Sequence, residues 1–331
     1  LDHPSAHNTI IIHYVLALPF SKTITQDSNT RPSNTTDATK MNTHQRTIVY
    51  SIPGLLLVLA LLSACSPRQY EHSLTFQLQY NDQEIHCDTP IKTNSAQWSL
   101  QRWQLYLYGV EIHHNQQWRS AQLIPTQTPQ VTSDDRIALL SVICKQSADP
   151  QTQTTFNVRL LSSVAPDAVD AIRFTVGVPF DRNHQNPLTQ TAPLNRPDMF
   201  WVWQTGHKFL RLELTNQSTP FIFHLGSTGC ASASALRPAV EKCKNPNRIA
   251  VQLDNIKHPS ILVFDLATIL EKLDNKTTTR DETNDTHNCL ATPDAPLCQD
   301  ILSTLGVNAS QTAFYARPLT RRVTLNQSTQ P

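Results

Sequence analysis

The sequence predicts a mainly β protein: an antiparallel β-sandwich with a small, disulfide-tied helical portion near the C-terminus. About nine segments have the length and the alternating or apolar pattern of β-strands, and turn residues separate them. Almost no helical periodicity occurs before residue 265. Short alternating strands of this kind are typical of antiparallel sheets packed face to face. No internal repeat and no linker is visible, so one domain is expected.

Strand patterns recur through most of the mature chain. The segment 103–112 alternates and is rich in Tyr, Leu and Val, and the segment 137–144 is an apolar run suited to a buried strand. The predicted strands are 72–80, 103–112, 137–144, 155–161, 171–178, 209–214, 220–224, 248–253 and 260–264. The segment 181–198 lacks alternation and contains several prolines, which predicts a long ordered loop.

Two helices are predicted near the C-terminus. In the segment 265–273, leucine and isoleucine recur at helical spacing on one face. A shorter helix is predicted over 298–305, where Gly306 ends it. The segment 274–288 between them is polar, which indicates a solvated loop.

The N-terminal 64 residues are expected to lie outside the folded domain. The first methionine is Met41, and residues 1–40 are expected to be upstream sequence translated outside the native product. Residues 41–64 have a polar start and an apolar run over 52–62, as in a bacterial lipoprotein signal peptide. A single β domain is therefore expected over 65–331.

The signal peptide would end at a lipid attachment site. Leu-Ser-Ala precedes Cys65, which is typical of a lipobox with lipid attached to that cysteine. Ser66 follows, which in Gram-negative bacteria favours the outer membrane. The sequence thus predicts a periplasmic lipoprotein held to the outer membrane by its lipid anchor. The alternative is an N-terminal anchor helix followed by an ordinary cysteine.

Composition and cysteine count restrict the classes of function. The formal net charge is +1 with no basic run, which gives no support to nucleic-acid binding. An even number of cysteines remains in an exported chain, which indicates disulfides. The six are Cys87, Cys144, Cys230, Cys243, Cys289 and Cys298. Their spacing favours the pairs Cys230–Cys243 and Cys289–Cys298 and leaves Cys87–Cys144. A cysteine-rich metal site is the alternative, although no CxxC pair is present.

The central stretch 177–230 contains the best candidates for function. Four of the seven glycines lie in it, together with the motifs GVPF, NH, PLN, MFWVWQTGHKF and FHLGSTGC. His184 lies on the predicted loop and His224 ends a predicted strand, and imidazole is a good copper ligand. His207 is a third candidate ligand. The alternative for each is a packed histidine with a structural hydrogen bond.

Trp201 and Trp203 alternate within the same stretch and are candidates for oxidative modification. The alternative is that both are core or sheet-face aromatic residues. No GxSxG, HExxH, CxxCH or glycine-rich nucleotide loop occurs, so no enzymatic activity is predicted.

These motifs, together with CKNPN over 243–247 and the spacing of the last two cysteines, resemble the MbnP family. The resemblance covers roughly 72–316. It implies an exported copper-binding protein whose partner is an MbnH-like dihaem cytochrome, related to MauG and bacterial peroxidases. In that family the partner can oxidise a tryptophan to kynurenine, which helps to form a copper site with histidine ligands.

The resemblance assigns particular residues. His184 and His224 match the family's histidines, and Cys230, Cys243, Cys289 and Cys298 match its four cysteines. His207 stands where tyrosine is usual. The family often has Trp-Gln shortly before the apolar run that starts near Ala138, where this chain has Thr-Ser-Asp-Asp over 132–135.

Two hypotheses follow. In the first, the protein is a copper-binding envelope lipoprotein that acts with the dihaem cytochrome and has no turnover of its own. In the second, it is a disulfide-stabilised β-sandwich that serves as a partner-binding or surface module without metal.

Overall fold

Two β-sheets pack face to face in the computed structural model of the chain. The model describes residues 68–127, 129–134, 136–144, 152–216, 219–256, 259–277, 288–291, 296–307 and 313–318. These belong to one compact unit, Cys65–Pro331. Residues 1–40, the predicted signal peptide over 41–64 and the predicted lipid site at Cys65 lie outside the described residues.

The strands account for most of the ordered structure. They are β1 (Tyr70–Tyr80), β2 (Gln83–Glu84), β3 (Ile91–Lys92), β4 (Gln97–His114), β5 (Gln117–Ser120), β6 (Gln122–Leu123), β7 (Gln130–Val131), β8 (Ile137–Ile143), β9 (Thr155–Ser162), β10 (Ala171–Val176), β11 (Lys208–Asn216), β12 (Thr219–Gly226), β13 (Ile249–Asp254), β14 (Ser260–Asp265) and β15 (Phe314–Pro318). The helices are α1 (Phe180–Asn183), α2 (Ala267–Thr277) and α3 (Pro296–Thr304), with short 3₁₀ turns at Pro166–Ala168, Pro187–Thr189 and Pro197–Met199.

The two sheets have different strand orders. In the first the order is β15-β14-β1-β9-β6, with β2 beside β1. In the second it is β12-β11-β4-β10-β13; the strands β3, β5 and β8 also pair with β4, and β7 pairs with β8. Pairing between the named strands is antiparallel except between β1 and β14, which run parallel. The predicted mainly β, antiparallel sandwich is confirmed.

Large aromatic side chains join the two sheets. Trp103 on β4 packs against Phe156 on β9 and Phe264 on β14, with ring centroids 6.1 and 5.5 Å apart. Phe76 on β1 meets Phe174 on β10 edge-on at 5.5 Å. Such rings bury large apolar areas, so this interface supplies much of the driving force for folding.

Helices α2 and α3 form the expected helical portion near the C-terminus. The apolar face of α2 is buried, including Ile269, Leu270 and Leu273. Cys298 on α3 is bonded to Cys289, which pairs with the edge strand β12. The disulfide therefore joins this helix to the second sheet. Within the described residues, no helix has the length and apolar character needed to cross a membrane.

Several elements extend beyond the sequence prediction. Strand β4 begins at Gln97, six residues before the predicted start at Trp103, because residues 97–102 pair with β3 and β11. The predicted loop over 181–198 contains α1 and two 3₁₀ turns that begin at prolines, since proline fits the first position of a helical turn. The polar segment from 274 begins inside α2, and most of the rest lies outside the described residues.

Candidate metal centre

A loop between β10 and β11 carries most of the candidate residues, and buried Asn183 fixes its shape. The side-chain amide nitrogen of Asn183 donates to the carbonyl of Thr205 at 3.2 Å, and its side-chain oxygen accepts from the backbone N–H of His207 at 2.8 Å. Gly206 has φ +81°, and a Cβ there would lie 2.4 Å from the backbone oxygen of Asn183. Glycine is therefore required for this close approach, which brings His184 beside the 203–207 turn.

His184 is a buried imidazole at the end of α1. Its Nδ1 lies 3.3 Å from the carbonyl oxygen of Trp203, which can only accept, so Nδ1 carries the proton. Its Nε2 accepts from the side-chain amide of Asn183 at 3.2 Å and lies 3.7 Å from Sγ of Cys243. Burial lowers the pKa of His184, and its backbone hydrogen bonds offset this only in part. The ring is therefore neutral near pH 7.

A cleft of about 540 Å³ opens beside His184. Phe180 and Trp203 line it together with Pro238 and Ala239. The last two belong to the loop 231–242, which the Cys230–Cys243 disulfide closes. His184 thus lies between a disulfide and a cleft that could admit an ion or part of a ligand.

His224 lies on β12 in different surroundings. Its Nε2 is 3.1 Å from the carboxylate of Glu213 on the neighbouring strand β11. Because an ionised carboxylate only accepts hydrogen bonds, Nε2 carries the proton of the neutral ring and Nδ1 has none. The indole of Trp201 lies with its ring centroid 6.3 Å from that of His224. Burial lowers the pKa of His224, and the Glu213 hydrogen bond offsets this in part. A carboxylate on one ring nitrogen is the arrangement that commonly orients a metal-ligating histidine.

Charged side chains on β4 and β11 hold Glu213 ionised. Arg211 donates to its carboxylate at 2.5 Å, and Arg102 lies 3.5 Å away. Arg102 also contacts Asp198 at 3.0 Å. Burial raises the pKa of Glu213, but the hydrogen bonds from His224 and Arg211 and the arginine charges outweigh it and lower the pKa to about 2. Glu213 can therefore accept a hydrogen bond from His224 throughout the neutral range.

His207 is completely buried, and both of its ring nitrogens face backbone carbonyls. Nδ1 lies 3.1 Å from the oxygen of Asn183 and Nε2 lies 2.9 Å from that of Leu194. The rings of Tyr106 and Phe200 meet it edge-on. The imidazole therefore packs between the loop and the sheet, and a metal could bind it only by displacing one of these contacts.

The two candidate tryptophans have different neighbours. The segment is extended up to Val202, where a turn begins: the backbone N–H of Gly206 donates to the carbonyl of Val202 at 2.7 Å. Trp201 is half-buried and lies over Gly226 near His224. Trp203 is on the turn, exposed and beside His184.

The three cysteine pairs favoured by spacing are all present as disulfides. One of them lies beside a candidate ligand: Nε2 of His184 and the two sulfurs of Cys230 and Cys243 lie within 4.8 Å of one another. No hydrogen bond or ring contact joins His184 to His224. Glu213 was not among the predicted site residues, and Asn183 was indicated only as part of the NH motif, without its role in fixing the loop. The hairpin register of β11 and β12 could have indicated Glu213, because it lies diagonally across from His224.

Comparisons with known proteins agree with this fold. The MbnP family model matches residues 69–290. Among solved structures, MbnP from Methylosinus trichosporium matches with a TM-score of 0.59 and 21% identity, covering 75% of this chain and 98% of that chain. At this identity the match supports the fold alone. No curated protein matches the chain.

Proposed function

The chain belongs to the MbnP family, and from this membership, which indicates a role in copper handling, we propose that it binds copper in the cell envelope. In this proposal the protein has no turnover of its own, and His184 and His224 are its histidine donors. It works with an MbnH-like dihaem cytochrome.

The observation that carries the proposal is the state of these two imidazoles. Each has a lowered pKa, and each has one ring nitrogen bonded to an oxygen acceptor: the Trp203 carbonyl for His184 and the Glu213 carboxylate for His224. The other nitrogen then carries a lone pair. Neutral imidazoles fixed in one tautomer are the form in which histidine binds copper. Copper supplies a cation with strong affinity for such nitrogen donors.

His207 is the least suited of the three candidates. Both of its nitrogens already face buried backbone carbonyl oxygens, so a copper ion at either nitrogen would have to displace one of these contacts. An unpaired buried carbonyl costs about 1–3 kcal/mol. His184 has no comparable obstacle, since only one side-chain amide contact would be replaced.

Copper titration of the purified, disulfide-intact protein tests the proposal. His184→Ala and His224→Ala are each expected to weaken copper binding at least tenfold, because neither leaves a replacement donor. The matched control is His86→Ala, since His86 is exposed and lies outside the candidate loop. Equal copper affinity for the wild type and the His184→Ala/His224→Ala double variant would show that these residues are not the ligands.

The proposed partner would oxidise Trp201 or Trp203 to kynurenine. The first lies near His224 and the second near His184, so modification of either places a new donor group close to one histidine. Ring opening with loss of one carbon gives a fixed mass change. Peptide mass mapping after co-expression with the dihaem cytochrome identifies the site, and an unmodified mass for both peptides would contradict this part of the proposal.

The proposed location is the periplasmic face of the outer membrane, with lipid on Cys65. The motivating observation is the lipobox-like sequence at that residue. Cys65→Ser is expected to move the protein from the membrane fraction to the soluble fraction. Retention of the variant in the membrane fraction would contradict lipid anchoring through this residue.

A partner-binding module is the second candidate function, and one observation favours it. Six large apolar side chains are exposed in the described part of the chain, and five of them come from two loops. They are Leu188, Val202, Trp203, Leu236 and Val240. Both loops contribute residues to the cleft beside His184, and contiguous exposed apolar surface often marks an interaction site. If copper titration shows no binding at all, partner binding is the candidate function that remains.

A further inference from the structure

The Cys230–Cys243 disulfide and His184 together contain the donor atoms of a metal site. Their ligand atoms lie within 4.8 Å of one another, and all three residues are buried. In the described part of the chain, this is the one group of three or more histidine, cysteine or carboxylate donors at such distances. While the disulfide is intact, both sulfurs are bonded to each other and cannot act as thiolate ligands.

The imidazole is already oriented toward the sulfurs. Nδ1 of His184 donates to the Trp203 carbonyl, which directs the lone pair of Nε2 to the side where Sγ of Cys243 lies 3.7 Å away. The side-chain amide of Asn183 is the other group that contacts Nε2. A cation between the ring and the two sulfurs would replace that one hydrogen bond.

Backbone pairing holds the two cysteines together independently of the disulfide. Thr228 and Asn245 exchange two backbone hydrogen bonds of 2.9 and 3.0 Å, and the N–H of Lys244 donates to the carbonyl of Gly229 at 3.0 Å. The side chain of Gln204 donates to the carbonyl of Cys230 at 3.1 Å. These bonds fix the chain on both sides of the 231–242 loop, so opening the disulfide does not require the cysteines to separate.

We propose that Cys230–Cys243 is a redox-controlled ligand pair that, when reduced, forms with His184 a site of one nitrogen and two sulfurs for a soft monovalent cation, Cu(I). A dithiol reductant attacks one sulfur, passes through a mixed disulfide and leaves as a cyclic disulfide, while the two cysteines each gain one electron and one proton. Cu(I) then displaces both thiol protons and binds two thiolates and Nε2. Thiolate ligands favour Cu(I). A disulfide oxidant that accepts two electrons from the pair re-forms the Cys230–Cys243 bond, removes both thiolate ligands and so releases Cu(I).

This site is distinct from copper binding by the oxidised protein, because its donors include thiolate sulfur, which the intact disulfide does not offer, and do not include His224. Single-cysteine variants test it without a reductant. Cys230→Ala leaves the thiol of Cys243 beside His184, whereas the matched control Cys289→Ala leaves the thiol of Cys298, which belongs to no group of three donors in the described residues. Both variants lose one disulfide and gain one free thiol.

The probe is Cu(I) supplied as a complex with a chromophoric chelator. Competition with the chelator measures the affinity for Cu(I), and ultraviolet charge-transfer absorption reports coordination by thiolate. Cys230→Ala is expected to bind Cu(I) at least tenfold more tightly than Cys289→Ala. Adding His184→Ala to Cys230→Ala is expected to remove that advantage, while His86→Ala, at an exposed histidine outside the candidate loop, leaves it intact. Equal affinity of the two single-cysteine variants, or no effect of His184→Ala, would overturn the proposal.

The reduced wild-type protein supplies the second measurement. After dithiol treatment, mass analysis of alkylated peptides identifies the opened disulfides. One equivalent of Cu(I) with thiolate absorption is expected, and the Cys230→Ser/Cys243→Ser variant should lose it. Binding of copper by the oxidised protein but not by the reduced one would refute this site and leave the proposed function standing. Binding of copper by the reduced protein but not by the oxidised one would support this site and contradict the proposed function.

Discussion

Gly226→Ala tests how the candidate tryptophan and the end of β12 fit together. A Cβ at this position would lie 2.5 Å from Cζ3 and 3.0 Å from Cη2 of Trp201, and 2.8 Å from the backbone oxygen of His207. Carbon atoms in contact are normally about 3.5–4.0 Å apart. The Trp201 indole, the His207 backbone or both must therefore move by roughly 1 Å to accept one methyl group.

The effect should come from crowding rather than from backbone strain. Gly226 does not have the positive φ that disfavours alanine, unlike Gly109 with φ +63°. Overpacking of a close contact costs about 1–3 kcal/mol. For a domain of this size, each kcal/mol lowers Tm by about 2–4 °C, so a decrease of about 2–12 °C is expected. The displaced indole should also change its fluorescence.

Thermal unfolding followed by circular dichroism and tryptophan fluorescence measures both effects. Gly109→Ala is the control, because no atom lies within 4 Å of its added Cβ and only backbone strain of about 1–2 kcal/mol is expected there. Trp201→Ala should relieve the Gly226→Ala crowding, with a coupling energy of about 1 kcal/mol or more between the two changes. It should leave the effect of Gly109→Ala unchanged.

Two results would refute the reasoning. One is a Gly226→Ala variant with wild-type Tm and fluorescence. The other is additivity of Gly226→Ala and Trp201→Ala, because independent effects would mean that the indole does not lie over Gly226. Since Trp201 lies near His224, the same variant also shows whether the indole position affects copper binding.

Three further predictions concern stability. Replacing both Cys87 and Cys144 by alanine should lower the free energy of unfolding by about 4 kcal/mol, measured in urea, because the bond joins residues 57 apart. Tyr106→Phe should cost about 1–2 kcal/mol in the same assay, since its buried hydroxyl donates to the Pro193 carbonyl at 2.8 Å. Burial raises the pKa of Asp198, but neighbouring arginines outweigh it and lower the pKa below 3.8. Stability from this carboxylate is thus present above pH 3.8 and is lost as the pH falls through the folded-state pKa. The free energy of unfolding should therefore depend less steeply on pH below 3.8 in Asp198→Asn than in the wild type.

The sheets could be predicted because burial follows the residue pattern within single strands. In β9 (Thr155–Ser162), buried and exposed positions alternate in the described structure as polarity alternates in the sequence. The fully buried β8 (Ile137–Ile143) corresponds to the unbroken apolar run. The parallel pairing of β1 with β14 could not be predicted in the same way, because the partners are far apart in the chain and no short turn fixes their register.

The candidate site was predictable in its residue types but not in its contacts. Motif positions indicated His184 and His224, yet only the structure distinguishes them from His207 by the partner of each ring nitrogen. The contact between His184 and Cys243 joins residues 59 positions apart. Side-chain periodicity contains no information on such a contact, which depends on how two loops pack on the same end of the sandwich.

Under the proposed copper function, the neighbours of the two histidines predict that redox state affects copper binding through only one of them. His184 faces a disulfide whose loop also contributes Pro238 and Ala239 to the adjoining cleft, so reduction would change both its donors and its access to solvent. His224 instead depends on Glu213, which arginine side chains hold ionised. A reductant should therefore alter copper affinity through His184 while the His224 contribution stays constant. If reduction changes the copper affinity of His224→Ala and of His184→Ala equally, the opened disulfide does not act through His184, and the difference argued from the neighbours of the two histidines is wrong.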